Sequence, residues 1–469
     1  MPYVVAIDNG SQSTKVLIVD ETGRIHASAR AALRPYESSS TGQVVHPDDD
    51  VWDSIRTACR SAMQRFTADP AEIVGVGLCT IRFCRALMRE DGTLAEPMMS
   101  WMDARVGRAH TPAADVAKVT TSSGYINHRL TGSFTDAAGN YQGVWPIDQH
   151  TWQWSLDDAA YASTGMSKDL LAQLIEPGGL LGRVTDDAAV DTGLPSGVPV
   201  FATANDKAVE ALGAGLGASD DVLLSLGTYI AAMTPTGGAE SGAAHWSNFG
   251  ARPGQYLAES GGIRRGMWTV SWLRSLLQSE TPDAEDPYAL DHALGREAAE
   301  VAAGCDGIAA VLDWLAPADA LHRRGAFVGF SGMQGRGHLH RAILEGIAFT
   351  MADHIDAMAA ELDRSFRSLI VTGGGARSDV LLQILADVTG LPVRRAAVDD
   401  AAGIGAAVCA AVGAGLHPDW ASASTAMTAT IDAAAPSAER ERYAALRPWH
   451  RGVRARVAQL SEWSESHRG

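Results

Sequence analysis

Asp206 is the residue of this sequence best placed for catalysis. It lies in the segment PVFATANDKAVEALGAGLG, which runs from Pro199 to Gly217. The apolar run Pro199 to Ala204 predicts a buried strand, and Ala208 to Leu216 predicts an alanine-rich helix. Asp206 therefore falls at a strand-to-helix corner, where open α/β sheets place their ligands. A lone aspartate at such a corner is also typical of a helix N-cap, so its role as a base depends on the rest of the chain.

Three glycine-rich turns elsewhere in the chain indicate phosphate binding. They span residues 8–15, 225–229 and 372–377, and each follows an apolar run. In the first, DNGSQSTK, backbone N–H groups and hydroxyls can turn toward an anion while Lys15 adds charge, although an ordinary hairpin turn has the same composition. In the third, GGGARSD stands between a predicted strand and a predicted helix, and its glycines would let a nucleotide approach the backbone closely.

Other polar residues are candidates for binding a metal ion and a polyol. Asp8, at the end of the first predicted strand, could reach Mg²⁺ through water or could cap the turn. Arg82 flanks a predicted strand, and Trp101 is followed by Asp103 and Arg105. The indole could stack on the C–H groups of a polyol while the charged groups take its hydroxyls. A partly buried tryptophan beside an ion pair is the alternative interpretation.

The composition is that of a globular protein large enough for two domains. The chain has 469 residues, of which 46% are hydrophobic and 20% charged. Its formal net charge of −17 argues against a general binder of nucleic acid or anionic membranes, because neither polyanion would be attracted to it. A local basic cleft could still hold a phosphate.

Cysteine usage and the N-terminus predict a cytoplasmic location. The cysteines are few, odd in number and without metal-ligand spacing, which is typical of reduced, buried thiols: Cys59, Cys79, Cys84, Cys305 and Cys409. The first residues, MPYVVAIDNG, enter a strand with no basic region or cleavage site, and no apolar run approaches the roughly 18 residues of a membrane span. We therefore expect neither secretion nor membrane insertion.

The second half of the chain repeats the plan of the first. The segment VLLSLGTYIAAM, which begins at Val222, predicts a strand, a tight turn and a strand, as the opening of the chain does. This indicates a duplicated domain. We place the domains at residues 1–217 and 218–416, followed by a helical tail, 417–469, that packs on the second domain. The acidic stretch 278–288 is predicted to be an exposed loop.

Helical periodicity predicts several further elements. The predicted helices span residues 47–66, 156–174, 338–362, 402–412 and 437–463. The fourth consists of very small residues and includes Gly403 and Gly405. Such a helix suits close packing against another element.

The order of these parts resembles the FGGY carbohydrate kinases of the actin-like ATPase superfamily, and the resemblance covers nearly the whole chain. IDNGSQSTKVLIVD resembles the family's first phosphate motif, and TANDKAVEALGAG resembles its catalytic-aspartate segment. LLSLGTYIAAMT is similar to the second phosphate motif, and VTGGGARSDVLLQILADVTGLPV to the adenosine motif. Each motif alone is modest, but their order and spacing together are specific.

The resemblance implies a fold and a reaction. The fold would be α/β, with two ribonuclease-H-like domains that face each other across an interdomain cleft. The protein would transfer the γ-phosphate of ATP to a hydroxyl of a small sugar or polyol, with the sugar held by the N-terminal domain and ATP mainly by the C-terminal one. Asp206 would accept the hydroxyl proton, and Mg²⁺ held near Asp8 and Asp206 would offset charge on the phosphates.

The resemblance also assigns binding residues. Phosphate would be bound by the first two turns: Gly10, Ser11, Gln12, Ser13, Lys15, Gly227 and Thr228. Adenosine would lie along the third turn: Gly374, Gly375 and Arg377. The positions that match the polyol contacts of the family, together with the residue after the catalytic aspartate, are Arg82, Trp101, Asp103, Arg105 and Lys207.

Three features depart from the family pattern. An amide usually follows the catalytic aspartate and a glycine usually precedes it, whereas this chain has Lys207 and Asn205 there. The segment from Val106 to Ser123 is shorter by some tens of residues than the helical stretch that ordinarily helps to wall the sugar pocket. The substrate is therefore open among glycerol, pentuloses and other keto-sugars or polyols.

Two other classes of function are alternatives: an actin-like nucleotide switch or chaperone ATPase, and a sugar-binding regulator that kept the fold without efficient phosphotransfer. Asp206 together with Arg82 and Trp101 argues against the first, whereas the shortened segment keeps the second open. No nucleic-acid-binding module is evident in the sequence, so the expected partner is a small sugar or polyol, in a chain that could form a homodimer.

Overall fold

The computed structural model describes residues 1–277, 289–317 and 320–467. Within them the chain folds into two large mixed β-sheets with helices packed on both, which confirms the α/β class. The acidic stretch 278–288, predicted to be an exposed loop, lies outside the described residues.

The elements follow one another in chain order. The strands are β1 (Tyr3–Asn9), β2 (Ser13–Asp20), β3 (Ile25–Ala32), β4 (Glu37–Ser38), β5 (Val44–Val45), β6 (Ile73–Thr80), β7 (Ala86–Met88), β8 (Lys118–Thr120), β9 (Thr135–Ala137), β10 (Ile147–Asp148), β11 (Gln153–Trp154), β12 (Gln173–Ile175), β13 (Leu180–Arg183), β14 (Pro199–Phe201), β15 (Asp221–Leu226), β16 (Ile230–Thr236), β17 (His245–Phe249), β18 (Tyr256–Ser260), β19 (Ala309–Val311), β20 (Ala326–Val328), β21 (Ser368–Thr372), β22 (Val393–Ala396) and β23 (Thr430–Ala434). The α-helices are α1 (Asp50–Arg65), α2 (Ser122–Thr131), α3 (Asp158–Thr164), α4 (Asp186–Thr192), α5 (Asp206–Gly213), α6 (Gly266–Leu277), α7 (Ala289–Glu300), α8 (Arg336–Glu361), α9 (Asp379–Thr389), α10 (Ala401–Gly413), α11 (Trp420–Met427) and α12 (Arg440–Ser466).

The first half of the chain builds a six-stranded sheet in the order β13-β14-β6-β1-β2-β3. β1 and β2 form an antiparallel hairpin in which Tyr3 pairs with Asp20 and Asn9 pairs with Thr14. β6 runs parallel to β1, and β14 runs parallel to β6. The C-terminal ends of these parallel strands therefore meet at one edge of the sheet, close to the hairpin turn and to Asp206.

The second half repeats this plan in a seven-stranded sheet, ordered β17-β18-β16-β15-β21-β22-β23. β15 and β16 form the antiparallel hairpin, and β21 and β22 follow as parallel strands. The second and third glycine-rich turns come directly after β15 and β21. This repeated arrangement confirms the fold of two ribonuclease-H-like domains.

Most predicted helices form within a few residues of their predicted bounds, but the helix at 156–174 was wrong. There, α3 ends at Thr164 because Gly165 adopts a left-handed conformation, with φ 68°, and closes the last turn. The residues beyond it form a short 3-10 turn, Lys168–Leu170, and then the strand β12. The apolar residues keep a helical spacing on both sides of Gly165, which is why the prediction extended the helix beyond the glycine that ends it.

Small residues let α5 and α10 pack closely between the two sheets. A Cβ added at Gly405 would lie 2.0 Å from the carbonyl oxygen of Val209, and one at Gly213 would lie 1.8 Å from that of Ala401. α10 also packs on β1 and β6 of the first sheet, although the sequence places this helix in the second half. The small-residue helix therefore joins the two halves.

Gly405→Ala should destabilise the protein by about 1–3 kcal/mol, because backbone atoms must move to admit the methyl group. Gly295→Ala is the matched control, since Gly295 lies inside α7 and has nothing within 4 Å of an added Cβ. Alanine there should be neutral or stabilise by up to about 1 kcal/mol. Urea unfolding followed by circular dichroism measures both variants. Equal stability of the two would contradict the close approach of α5 and α10.

The C-terminal helix α12 packs on α8, α9 and β19 of the second half. The Tyr443 hydroxyl, which is buried, donates to Glu345 at 2.9 Å, and Arg447 Nε donates to Asp353 at 2.9 Å. The tail therefore covers the outer helices of the second half.

Two observations bear on the environment of the protein. All the cysteines are buried and unpaired. Of the helices in the described ranges, none combines the length and the apolar character needed to cross a membrane.

Candidate active site

A cavity of about 470 Å³ lies between the two halves, where the strands of both sheets end. Its lining from the first half is Ser11, Ile81, Arg82, Phe83, Trp101, Gly143, Asp206 and Lys207. Its lining from the second half is Gly227, Thr228, Tyr229, Trp246 and Glu259. The cavity thus brings together residues of the first two glycine-rich turns, the aspartate corner and part of the predicted polyol set.

Asp206 begins helix α5 on the cavity wall, but it is not the N-cap. Asn205 takes that place, and its Oδ1 accepts from the Ala208 N–H at 3.1 Å. Asp206 Oδ1 accepts from the Lys207 N–H at 2.9 Å and lies 3.7 Å from Arg82 Nε, whereas no donor in the described part of the chain reaches Oδ2. Burial raises the pKa of Asp206, although both cationic neighbours oppose the rise. The free oxygen can accept a proton from a ligand in the cavity.

Arg82 crosses the cavity to Glu259 of β18. Its two terminal nitrogens reach the two carboxylate oxygens at 2.7 and 2.8 Å, and Glu259 is fully buried. The guanidinium also lies 5.1 Å from the ring centre of Phe83 and 5.3 Å from that of Trp246. This bidentate ion pair links the two halves and fixes the guanidinium beside Asp206.

A chain of two buried asparagines supports Glu259 through hydrogen bonds. Asn248 Nδ2 donates to Glu259 Oε2 at 3.0 Å, and Asn205 Nδ2 donates to Asn248 Oδ1 at 2.8 Å. Asn205 stands where the family pattern has glycine. It therefore connects the helix that bears Asp206 to the carboxylate that orients Arg82.

Lys207 forms a second polar link between the halves. Its Nζ donates to Glu210 Oε2 at 2.9 Å and to Ser225 Oγ of β15 at 2.5 Å. Glu210 also accepts from Thr372 Oγ1 of β21 at 2.6 Å. Lys207 lines the cavity, but its ammonium group is engaged with α5 and the second sheet.

Asp8 and Lys15 face each other at the end of the β1–β2 hairpin. Lys15 Nζ lies 3.6 Å from Asp8 and 3.1 Å from Asp400, which caps α10. Burial raises the pKa of Asp8 to about 7, with further contributions from Asp400, Asp206 and Glu210, and Lys15 opposes them. The surplus of carboxylates at this place favours the approach of a cation.

The acidic residues do not form a closed metal cage. Across the described ranges no group of three or more His, Cys, Asp or Glu is arranged to hold a metal ion. Mg²⁺ ordinarily binds through one or two carboxylates together with water and substrate phosphates. The carboxylates of Asp8 and Asp206 fit that donor set.

Only one side chain of the first glycine-rich turn lines the cavity. That residue is Ser11. Gly10 closes the hairpin by donating its N–H to the Ser13 carbonyl at 3.1 Å, and Ser13 Oγ accepts from Arg30 Nε at 2.8 Å. Gln12 is exposed. In the second turn, by contrast, both predicted residues line the cavity.

The third turn lies apart from the Asp206 cavity. Its residues form a short 3-10 helix, Gly374–Arg377, with Gly374 exposed and Gly375 buried. Arg377 lines a separate cavity of about 220 Å³ and pairs with Asp399 at 2.7 Å. None of the predicted adenosine residues lines the Asp206 cavity, although Gly375 lies against Leu226 of the second turn.

Gly374→Val should weaken nucleotide binding roughly tenfold while leaving stability unchanged. Nothing lies within 4 Å of a Cβ added at Gly374, so the side chain would fill only the space predicted for adenosine. Gly375→Val is the contrast, because its Cβ would meet Leu226 Cβ at 2.8 Å and Met267 Sδ at 2.9 Å, and it should lower stability instead. Calorimetric ADP titration and thermal unfolding separate the two. Unchanged ADP affinity in Gly374→Val would remove this residue from the site.

The structure does not bring Asp103 and Arg105 to the cavity. Asp103 is buried and accepts from the Val44 N–H at 2.9 Å and from Arg105 at 2.8 Å. Arg105 also pairs with Glu96 at 3.2 Å and lines a different cavity. Of Trp101, Asp103 and Arg105, only Trp101 lines the cavity with Asp206, and Asp103 and Arg105 form the ion pair of the alternative interpretation.

Sequence analysis missed several residues of the site. Glu210 had a signal, because it lies four residues after Asp206 and therefore on the same helix face. Glu259 had a weaker one, as the acid in the otherwise apolar and small strand YLAES. Tyr229 belongs to the predicted turn 225–229, although it was not itself assigned a role. Trp246, on the cavity wall, and Asn248, behind Glu259, had no signal, since only the folding of distant segments brings them to the site.

Comparison with known proteins agrees with this architecture. The N-terminal domain of the FGGY family of carbohydrate kinases matches residues 3–111 and 108–213, and the C-terminal domain matches residues 222–414. An uncharacterized sugar kinase, YgcE, of Escherichia coli is 43% identical over 90% of this chain and 86% of its own length. A glycerol kinase of Dechloromonas aromatica is 27% identical over 96% of this chain and 97% of its own length. The crystal structure of xylulose kinase from Rhodospirillum rubrum superposes with a TM-score of 0.82 at 25% identity, covering 98% of this chain and all of that one.

The fold and the cleft define a two-domain protein of the actin-like ATPase class. Within that class, the chain belongs to the FGGY family of carbohydrate kinases. It is therefore a phosphotransferase with an alcohol group as acceptor, and ATP is the phosphate donor in this family.

Proposed function

We propose that the protein transfers the γ-phosphate of ATP to a hydroxyl of a small, neutral sugar or polyol, with Asp206 as the general base. One observation carries this proposal: the unpartnered oxygen of Asp206 faces a cavity that residues of both phosphate turns also line. A base and phosphate donors on one cavity are what an in-line transfer to a hydroxyl requires.

Asp206 Oδ2 would take the proton of the attacking hydroxyl. Its other oxygen is held by the Lys207 N–H, which keeps the carboxylate oriented. Ser11, Gly227 and Thr228 would donate to the transferring phosphoryl group, because they lie on the same wall. The polar links through Lys207 and Glu259 would hold the two halves at the spacing that transfer needs.

Mg²⁺ would be held by Asp8 and Asp206 together with phosphate oxygens. When bound, it would neutralise charge on the phosphates of ATP. The carboxylate surplus around Asp8, countered in the protein mainly by Lys15, supports this placement. Lys15 itself is held between Asp8 and Asp400, where it limits the repulsion between the two acids.

The charge balance of the cavity supports a neutral substrate. Arg82 is already paired in bidentate fashion with Glu259, so the pair offers hydrogen-bonding edges without a net charge. Four aromatic residues line the same cavity and can stack on C–H faces: Phe83, Trp101, Tyr229 and Trp246. Relatives named glycerol kinase and xylulose kinase support a glycerol-like or ketose-like molecule.

The two substrates are assigned to different halves of the chain. We assign the sugar to residues 1–217 and most of ATP to residues 218–416, with Gly374, Gly375 and Arg377 along the adenosine and 417–469 as a cover on the second half. The separation of the third turn from the Asp206 cavity suits a molecule as long as ATP. The buried, unpaired cysteines support a cytoplasmic enzyme.

The test is Mg-ATP turnover, followed by a coupled ADP assay, against a panel of glycerol, ketopentoses, ketohexoses and alditols. We expect one class of compound to stimulate ADP release, with chromatographic detection of the phosphorylated product. A reaction without added sugar is the control. ATP binding with no stimulation by any neutral polyol would contradict the proposal and favour a sugar-binding regulator.

A further inference from the structure

A second cavity, of about 410 Å³, lies beneath the segment 105–116 in the first half. Its wall carries a concentration of cationic and donor groups: Arg85, Arg105, Arg108 and His110. Apolar residues of β7 and of the chain around Met99 form the floor. The cavity shares no lining residue with the Asp206 cavity.

The acids on this wall are already engaged. Glu96 pairs with Arg105 at 3.2 Å, and Arg105 is also paired with Asp103 at 2.8 Å. Asp115 lies 3.7 Å from Arg89, which does not line the cavity. Arg105 is therefore neutralised, and neither Glu96 nor the exposed Asp115 forms an ion pair with Arg85 or Arg108.

Arg85 is a buried cation of this wall without a carboxylate partner among the described residues. It is only 3% exposed, and no carboxylate in the described part of the chain forms an ion pair with it. Its terminal nitrogens donate to the carbonyls of Arg105, Val106 and Arg108 at 3.1 to 3.3 Å, but Nε has no partner. Burial, and next the nearby Arg105, lowers the pKa of Arg85 to about 10. A buried guanidinium without an anion is costly, so a ligand that supplies negative charge would be favoured.

Two more groups on the wall lack partners. The Arg108 side chain is exposed and forms neither a hydrogen bond nor an ion pair within the described ranges. His110 is 6% exposed, and its Nε2 has no partner. Two cations and one ring nitrogen thus surround a cavity in a chain whose net charge, −17, would otherwise repel anions.

We propose that this second cavity binds a small anion bearing a phosphate group, with Arg85 and Arg108 as its charged contacts and His110 as a further polar contact. Guanidinium groups suit phosphate because their planar fork matches two of its oxygens. The fork of Arg108 is free for this, whereas Arg85 would contribute its charge and its unpartnered Nε, since its terminal nitrogens donate to backbone carbonyls. The volume admits free phosphate or the phosphate of a small sugar ester. These two sources share one chemistry, and the experiment separates them.

The same chain segments line both cavities, so the anion should affect the proposed sugar site. Arg82 and Phe83 lie on the Asp206 cavity, and Arg85 lies on the second one. Likewise, Trp101 lines the Asp206 cavity and Arg105 lines the second one. This part of the inference rests on the proposed function: the bound anion should change the KM for the sugar more than kcat, because it acts on the segments that hold the sugar and not on Asp206.

The direct test is calorimetric titration of the whole protein with inorganic phosphate and, separately, with glycerol 3-phosphate, at constant ionic strength. Arg108→Ala should weaken binding roughly tenfold, the loss expected for one charge-assisted contact. Arg456→Ala is the matched control, because Arg456 is also exposed and bonds only to the Gly452 carbonyl of its own helix. Arg108 is the tested residue because Arg85 also holds the backbone of residues 105–108, so its replacement would disturb the structure of the cavity as well as its charge.

The outcomes are distinct. Binding of phosphate that weakens in Arg108→Ala but not in Arg456→Ala supports the site. The same pattern for glycerol 3-phosphate alone supports it with a sugar ester as the ligand. Equal binding in all three proteins would place the anion at the glycine-rich turns and overturn the proposal, as would no binding. Because calorimetry needs no turnover, failure of the sugar panel would contradict the proposed function without touching this result. A KM shift caused by phosphate in the native enzyme, and absent in Arg108→Ala, would establish the coupling.

Discussion

Asp206→Asn should lower sugar-dependent phosphoryl transfer by about 10²–10⁴-fold while leaving ATP binding nearly intact. The amide keeps the size of the carboxylate and can still accept from the Lys207 N–H, so the helix start and the cavity wall should persist. It cannot take a proton from the attacking hydroxyl. The loss should therefore appear in kcat, with little change in the calorimetric affinity for ATP.

The control for this variant is Asp187→Asn, an exposed aspartate in the first turn of α4 that does not line the cavity. It makes the same chemical change and should leave kcat unaltered. The pH profile adds a second readout. Burial raises the pKa of Asp206, so activity should fall with decreasing pH sooner than an ordinary aspartate would allow, and this limb should vanish in Asp206→Asn. Unchanged turnover in Asp206→Asn would remove the base from the proposed mechanism.

The parts of the site that the sequence predicted are those that local patterns determine. Asp206 follows a short apolar strand and precedes an alanine-rich helix, so its corner position depends on a few adjacent residues. The hairpin turns before Lys15 and Tyr229 are equally local. In each case apolar residues set the strand, and no distant contact is needed; glycine sets the turn of the two hairpins, and the Asn205 cap starts the helix at the Asp206 corner.

The parts that were missed depend on contacts between side chains that form only when the chain has folded. Arg82 could be noticed as a charge beside a strand, but its partner Glu259 lies 177 positions further along the chain. Asp103 and Arg105 had the spacing of a polyol set, yet at that spacing they pair with each other. Sequence spacing did not reveal whether a charged side chain faces the cavity or pairs with a neighbouring charge. That depends on where the nearest opposite charge lies after folding.

The two links across the cleft have a common design. In each, a cation next to the proposed reacting centre is paired with a carboxylate. Arg82 pairs with the fully buried Glu259 across the cleft, whereas Lys207 pairs with Glu210 of its own helix and the link to the second half is made by hydrogen bonds to Ser225 and Thr372. The links place positive charge beside Asp206 without leaving it unpaired, which limits the cost of burial. They also make the spacing of the two halves depend on residues that face the cavity, so stability and activity are coupled at the same side chains.

Arg82 allows these two effects to be separated. Arg82→Met should lower kcat/KM for the sugar by about 10²–10³-fold, as for loss of one oriented donor. It should also destabilise the protein by about 3–5 kcal/mol, because Glu259 would remain buried without its counter-ion. A loss of activity in this variant alone would therefore not show whether Arg82 binds the sugar.

The double variant Arg82→Met/Glu259→Gln resolves the ambiguity. The glutamine amide carries no charge and can still accept from Asn248, so most of the lost stability should return while the activity stays low. Urea unfolding and sugar-dependent turnover, measured on Arg82→Met, Glu259→Gln and the double variant, form a complete cycle. Recovery of stability without turnover assigns Arg82 a direct role in the reaction, at the sugar or at Asp206; recovery of both would mean that its role is only to neutralise Glu259. Since the guanidinium lies 3.7 Å from Asp206 and on the cavity wall, we expect the first result.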